Sequence, residues 1–328
     1  MTAPRAVVAR GGDAGGGAAE AAGAASPAVV VTDVSRRFVR RGIGAGSARF
    51  VDALSDVSLV IPRGSRFGVV GESGSGKTTL MRLIAALDRP SAGRIEVQGV
   101  DITARTKKTE KSLRFLRRTL QVVFQDPMSS LDPRMRVGAI VAEPLQAAGR
   151  RDVAPAVREA LQQVGLDEAA LRRYPHQFSG GQRQRISIAR AIAPHPSILI
   201  ADEAVSALDV TVRAQILDLI DDLARRQALT LIFVSHDLSV VRRVCDTVAV
   251  LRAGRLVEVG STSDIYAHPR EQYTRELLAA VPTLERSLAA ARVRAGWAGR
   301  AGRAGSVDGG STGHDAAGKP GEHSSDDE

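Results

Sequence analysis

Eight consecutive residues, Gly71-Glu72-Ser73-Gly74-Ser75-Gly76-Lys77-Thr78, fill every fixed position of the phosphate-binding pattern G-x-x-x-x-G-K-[ST]. The chemistry of such a stretch is anion capture. Its glycines let the backbone wrap closely round a phosphate, and a helix starting there aims unpaired N–H groups and its positive dipole end at the anion. Lys77 would neutralise β- and γ-phosphate charge, and Thr78 would ligate Mg²⁺ through its hydroxyl. Thr79, next in line, is counted with the nucleotide contacts.

Other residues could act on a nucleotide held there. The apolar run Ile198-Leu199-Ile200-Ala201 ends in two carboxylates. Asp202 would hold Mg²⁺ through water, and Glu203 would orient and polarise an attacking water. Gln125 follows Val122-Val123-Phe124 just before a proline-broken loop, where its amide can reach a bound metal or water. His236 closes the run Leu229 to Ser235. A second anion nest lies in Phe178-Ser179-Gly180-Gly181-Gln182, with a serine hydroxyl and free N–H groups opening an amphipathic helix. A chain with one nucleotide loop has use for a second phosphate site if that site serves a nucleotide carried by another subunit.

These groups need elements to position them. Phe67, Val69 and Val70 read as a buried strand before the loop, and Leu80, Leu83, Ile84 and Leu87 recur at helical spacing after it. The runs before Asp202 and His236 are further buried strands; in open α/β sheets ligands lie beyond the carboxyl ends of strands. Val29-Val30-Val31 starts the ordered chain as a strand, followed by Asp33-Val34-Ser35 and an arginine-rich connection. Glycines between Arg40 and Ser47 mark a hairpin or loop, and Val51 to Ile61 suggests antiparallel strands. An aromatic here could stack on adenine, Phe38 first and Phe50 second, or could pack into a sheet. Ser91-Ala92-Gly93 reads as a turn and Arg94 to Gly99 as a strand. Residues 126 to about 176 look like an inserted helical unit. In it Pro155 suits a first helical turn, Val157, Ala160, Leu161 and Val164 share one face, and Gly165 stops the helix.

A chain of 328 residues has room for a sizeable core. The net charge of +9 invites a nucleic-acid reading, but aromatics are 3% of residues and the arginines are spread along the chain, which disfavours a base-stacking platform. Arg105, Lys107, Lys108, Lys111, Arg114, Arg117 and Arg118 form the densest basic cluster, suited to anionic lipid, a partner subunit or plain solvation. Cys245, the single cysteine, excludes an intrachain disulfide or a Cys₄ metal site and reads as a small core residue. No apolar run reaches the 18 or more residues of a spanning helix, so work at a membrane would need other chains. Residues 1–27, Ala/Gly-rich with no signal-peptide core, read as a disordered leader. The Ala/Arg/Gly-rich residues 285–328 read as a disordered tail.

With Ser179 to Gln182, the chain resembles the ATP-binding cassette (ABC) ATPases, in which two subunits sandwich two ATP molecules between the loop of one and the signature of the other. The likeness spans about residues 29 to 284. It implies an α/β fold, a P-loop NTPase ABC cassette with a RecA-like core, an N-terminal antiparallel β subdomain and an inserted α-helical subdomain. By the same likeness, Ser206-Ala207-Leu208-Asp209 is the D-loop that crosses the dimer interface, and His236 in Ser-His-Asp-Leu is the switch histidine on the γ-phosphate. The cassette would fill residues 28–262.

Three stretches narrow the likeness to dipeptide/oligopeptide importers: Phe124 to Arg134, Tyr174 to Ser179, and Tyr273-Thr274-Arg275 to Ala280-Val281-Pro282. The last lies in a C-terminal extension, 263–284, typical of that branch, whose members also serve nickel uptake. Ala204 departs from the proline common in the wider family, and the C-terminal cysteine cluster of some peptide importers is missing. The resemblance implies ATP hydrolysis coupled to import, with ATP and Mg²⁺ as cofactors. Its partners would be two transmembrane permease subunits, a second identical or homologous ATPase subunit and, indirectly, an extracytoplasmic solute-binding protein, with no nucleic acid among them. The chain would sit peripherally on the cytoplasmic face of the cell membrane. A nickel or other small-solute importer, a soluble cassette acting on ribosomes or DNA, and a regulatory cassette of a heterodimer are the alternatives.

Overall fold

The apolar runs that end at the chemically competent residues are neighbouring strands of one sheet. The computed structural model describes residues 27–41, 48–103, 109–206 and 208–280; the expected leader, most of the Arg40 to Ser47 loop, Arg105, Lys107, Lys108, Ala207 and the expected tail lie outside the described residues. In chain order come β1 (Val29–Arg41), β2 (Ala48–Ile61), β3 (Arg66–Val70), α1 (Lys77–Ile84), β4 (Ala92–Val97), β5 (Val100–Asp101), α2 (Thr109–Thr119) and β6 (Leu120–Val123). Next are α3 (Pro127–Ser130), α4 (Val137–Ala147), α5 (Ala154–Gln163), α6 (Gly180–Ile192), β7 (Ile198–Asp202), α7 (Val210–Arg226) and β8 (Thr230–Ser235). The described chain closes with α8 (Leu238–Val244), β9 (Thr247–Arg252), β10 (Arg255–Ser261), α9 (Thr262–Ala267) and α10 (Gln272–Ala279).

The larger sheet has the order β10-β9-β3-β8-β7-β6, parallel except for β10 at its edge. Parallel strands need crossover connections: α7 carries the chain from β7 to its neighbour β8, and α8 carries it from β8 past β3 to β9. Its strands are apolar on both faces, and the period of two sorts their side chains into two cores. Val70, Leu199, Ala201, Leu231, Phe233, Val248 and Val250 join the helices α4 to α8 on one side. Phe67, Val69, Ile198, Ile200, Ile232, Val234, Ala249 and Leu251 join α1 and the smaller sheet on the other. Each fully buried side chain of this size contributes about 1.5–3 kcal/mol. Gly68 lies in β3 because a Cβ there would stand 2.5 Å from Val241 Cγ1 and 3.3 Å from Cys245 Sγ. Cys245 is accordingly a buried packing residue whose thiol pKa burial pushes up.

The smaller sheet, β2-β1-β4-β5, is antiparallel. The expected arginine-rich connection after Ser35 is instead more of β1. Register shifts between Val31 and Arg37 bend the strand at a bulge, and Asp33 takes a positive φ of 48°. The arginines fit because they face outward to acids, Arg36 to Asp88 at 2.9 Å and Arg37 to Asp52 at 2.5 Å. Leu87 also departs from expectation. α1 stops at Ile84, Ala86 turns with φ 52°, and Leu87 is left 49% exposed.

Between Asp126 and Phe178 the chain is helical, and Val157, Ala160, Leu161 and Val164 are buried on one face as their spacing predicts. Gly165, with φ 74°, ends that run. In the basic segment, Arg118 donates to Ala148 O at 2.8 Å.

Candidate functional site

Register alone brings the chemistry together. β3 pairs with β8 so that Val70 faces Ser235, and β8 pairs with β7 so that Val234 faces Asp202. Gly71, His236 and Glu203 are the residues that follow, so loop, histidine and carboxylates leave one edge of the sheet side by side.

The loop after β3 is shaped by two glycines without substitute. At Gly71, φ 149°, a Cβ would collide with Leu251 O; at Gly76, φ 104°, it would stand 2.6 Å from Ala53 O. Gly76 is the N-cap of α1 and brings no side chain to its first N–H groups, which leaves them for an anion. Lys77 is 5% exposed, and its Nζ donates to Gly71 O and Glu72 O, both at 2.8 Å. Burial lowers its pKa, while the charges of Glu203 and Asp202 oppose that shift. Ser75 is buried, whereas Glu72, Ser73, Gly74 and Thr78 are exposed and Thr79 is half-buried.

Asp202 is 6% exposed, and its Oδ1 is buried with no hydrogen-bond partner. Burial pushes its pKa up to about 6, reinforced by the charge of Glu203 and opposed by that of Lys77. An orphaned buried carboxylate oxygen and the exposed Thr78 hydroxyl at the start of α1 are oxygen donors of the kind a hard divalent cation or its water takes. The residues present therefore fit Mg²⁺.

Glu203 has the positive φ of 45°, rare for a residue with a side chain, and its N–H donates to Val234 O at 2.9 Å. That turn lifts its carboxylate out of the strand, with Oε1 3.0 Å from His236 Nδ1. Gln125 reaches the same place indirectly: its Nε2 is 3.4 Å from Ser206 Oγ, which donates to Glu203 O at 3.0 Å. Glu203, Ser206, Arg213, Ser235, His236 and Asp237 line a cavity of about 40 Å³, room for a water. Lys77, Asp202, Glu203, His236 and Gln125 are thus one constellation. Ser206 was missed as a bridge because a serine beside an acidic pair carries no signal in sequence.

Ser179, Gly180, Gly181 and Gln182 stand elsewhere, and among the described residues no hydrogen bond joins them to the loop at Gly71–Thr78. Ser179 caps α6 in a capping box: Gln182 N donates to Ser179 Oγ at 3.3 Å, and Ser179 N to Gln182 Oε1 at 3.0 Å. Asp209 caps α7 through Val212 N at 3.0 Å. Phe38 and Phe50 are 38% and 62% exposed on adjoining strands, covered in part by Arg36 at 4.3 Å and Arg37 at 5.8 Å from the ring centroids. Val51 pairs with Phe38 and lies two residues from Ala53, against which Gly76 packs, so Phe38 is within a short strand segment of the loop. Among the described residues, no cluster of three or more His, Cys, Asp or Glu could hold a metal ion by itself, and no helix is long and apolar enough to cross a membrane.

Known proteins resemble this chain. The family model described as ABC transporter matches residues 54–206. A Brucella ovis protein provisionally named a peptide import ATP-binding protein is 47% identical over 233 residues, covering 70% of this chain and 73% of the relative. One from Brucella abortus with the same provisional name is 48% identical over 244 residues, covering 74% and 72%. Among solved structures, a dimeric ATP-binding cassette in a post-hydrolysis state bound to ADP and Pi superposes with a TM-score of 0.63 at 28% identity, covering 71% of this chain and 98% of that one.

Proposed function

The chain belongs to the ABC transporter family of ATP-hydrolysing cassettes, and from that premise we propose that it energises a membrane importer of dipeptides or oligopeptides. The observation that carries the catalytic part is the constellation at the strand ends, where Glu203 Oε1 lies 3.0 Å from His236 Nδ1 beside buried Lys77 and Asp202. The peptide part rests on the relatives provisionally named for peptide import.

In this reading Gly71–Thr79 cradle the phosphates of ATP, and Lys77 keeps its bond to Gly71 O while its remaining N–H donors turn to β- and γ-phosphate oxygens. Phe38 stacks on the adenine. Thr78, Asp202 and Gln125 are the residues that would hold Mg²⁺, directly or by way of water. Bound there, the ion would neutralise charge building on the β- and γ-phosphate oxygens. Glu203 accepts a hydrogen bond from the attacking water and aligns it with the γ-phosphorus, while His236 holds that carboxylate and contacts the γ-phosphate. The γ-phosphorus–oxygen bond to ADP breaks as the bond to water forms, and the water's proton leaves through Glu203. Ser179 to Gln182 and Asp209 complete the site of a second subunit, so that ATP closes the dimer and hydrolysis reopens it.

Two permease subunits receive the motion, and the cassette lies against them at the cytoplasmic face of the membrane. The helical lobe between Gln125 and His176 is the docking surface. At the edge of the lobe, where α4 meets α2, α6 and the turn after α1, Leu87, Leu113, Phe124, Pro144, Ala147 and Arg190 line an open groove of about 490 Å³. Affinity purification of the tagged chain from gently solubilised membranes tests the assignment. Recovery with two multi-span permeases and a solute-binding protein supports it; recovery with ribosomes or DNA and no permease overturns the transport reading and leaves the ATPase standing.

A further inference from the structure

Among the described residues well past His236, the chain returns to the nucleotide loop from β9, from its turn into β10 and from α10. Leu251 O denies a Cβ to Gly71, Gly254 N donates to Ser75 O at 2.9 Å, and Tyr273 Oη accepts from Glu72 N at 3.3 Å. The first two come from β9 and its turn into β10. The third comes from α10, more than 200 positions further along the chain.

We propose that Tyr273 is a positioning residue for ATP binding, holding the Gly71–Glu72 peptide in the orientation that presents Lys77 to phosphate. That peptide is one rigid plane. Its N–H donates to Tyr273 Oη, and its carbonyl, Gly71 O, accepts from Lys77 Nζ at 2.8 Å. A rotation of the plane would break both bonds together. Glu72 itself lies on the solvent side of the loop, so without the tyrosine only water would restrain its N–H.

The tyrosine is in turn well held. It is 5% exposed, with the Arg252 guanidinium 4.6 Å from its ring centroid. Thr274 and Leu277 bury the same side of α10. Glu271, the N-cap of α10, offers no side-chain cap; Glu258 of β10 serves instead, its nearly buried carboxylate accepting from Arg270 N at 2.9 Å and Glu271 N at 3.3 Å. A carboxylate at a helix N-terminus is favoured by the free N–H groups and the dipole. The path runs from Glu258 through the start of α10 to Tyr273, and from there to the loop.

The inference rests on the reading of Gly71–Thr78 as the ATP loop, and the experiment separates the two. MgATP binding by calorimetry, steady-state hydrolysis and thermal melting are measured on the full chain, on Tyr273→Phe and on Glu258→Gln. Tyr273→Phe keeps the ring and its packing and removes only the acceptor. The expected result is a rise of about 3- to 10-fold in Kd and KM for ATP, the weight of one hydrogen bond, with kcat and the melting temperature nearly unchanged. Glu258→Gln, remote from the nucleotide, should raise KM in the same direction by loosening α10. An unaltered Kd and KM in Tyr273→Phe overturns the inference, whatever happens to stability. Failure of the unmutated chain to bind MgATP overturns the reading of the loop, and the inference with it.

Discussion

The two glycine-rich helix starts, at Gly76 and at Ser179, are both anion nests in sequence and differ in how much of each the chain itself completes. The first is enclosed. Leu251 O and Ala53 O crowd its glycines, Lys77 is buried, and α1 has no side-chain cap competing for its N–H groups. The second is open on its outer side. Ser179 and Gly180 are exposed, the nearest atom to a Cβ at Gly180 is 3.9 Å away, and Ser179 and Gln182 satisfy each other. An enclosed nest grips a ligand unaided; an exposed one, already capped, acts when another molecule brings phosphate to it. The open nest therefore fits a surface that meets a second subunit.

The largest expected effect tests the enclosed half. Glu203→Gln keeps the size of the side chain and its contact with His236 but not the carboxylate, so ATP binding should persist while kcat falls by about 10²–10⁴-fold, the weight of general-base assistance. Near-normal turnover would remove Glu203 from the mechanism. Ser179→Asp probes the open half without uncapping α6, because aspartate caps as well as serine. Its added charge repels an incoming phosphate, and loss of the hydroxyl donor should lower hydrolysis by about 10²–10³-fold while the melting temperature and monomer ATP binding hold. Mixing that variant with Lys77→Ala should recover hydrolysis, since one mixed interface pairs an intact loop with an intact signature. If mixing recovers nothing, the nests do not act across a dimer.

Smaller effects sharpen the contrast between adjacent glycines. A Cβ at Gly181 would stand 2.5 Å from Val212 Cγ1. Gly181→Ala should therefore destabilise the fold by about 1–3 kcal/mol, the usual cost of overpacking. Gly180→Ala meets only Leu208 Cδ2 at an ordinary 3.9 Å and should shift stability by no more than about 0.5 kcal/mol, yet it should slow hydrolysis by obstructing the approach of a partner's nucleotide. Chemical denaturation and ATPase assays on the same preparations separate these outcomes. The smallest effect on the isolated chain belongs to Leu87→Asp. It should leave melting and ATP affinity unchanged and abolish co-purification with permeases; retained permeases would place the docking surface elsewhere.

The sequence by itself determined the candidate reacting groups and their order, because each depends on local rules. A glycine-rich turn, a lysine at a helix start, a strand ending in acids and a serine three residues before a glutamine are all read within a few residues. The buried strands were legible for the same reason, since a run such as Ile198–Ala201 has no polar face to expose. What lay beyond it were consequences of neighbours distant in the chain. The arginines after Ser35 form a strand because Asp88 and Asp52 receive two of them. Leu87 leaves the core because Ala86 turns the chain away. Gln125 meets Glu203 only through Ser206, and Glu203 adopts its positive φ only where Val234 O accepts its N–H. Tyr273 looked like a family marker and is a ligand of the nucleotide loop's backbone. Tertiary structure alone decided these points, because strand order and register set which remote groups meet, and pairing across the sheet leaves no trace in the spacing of residues along the chain.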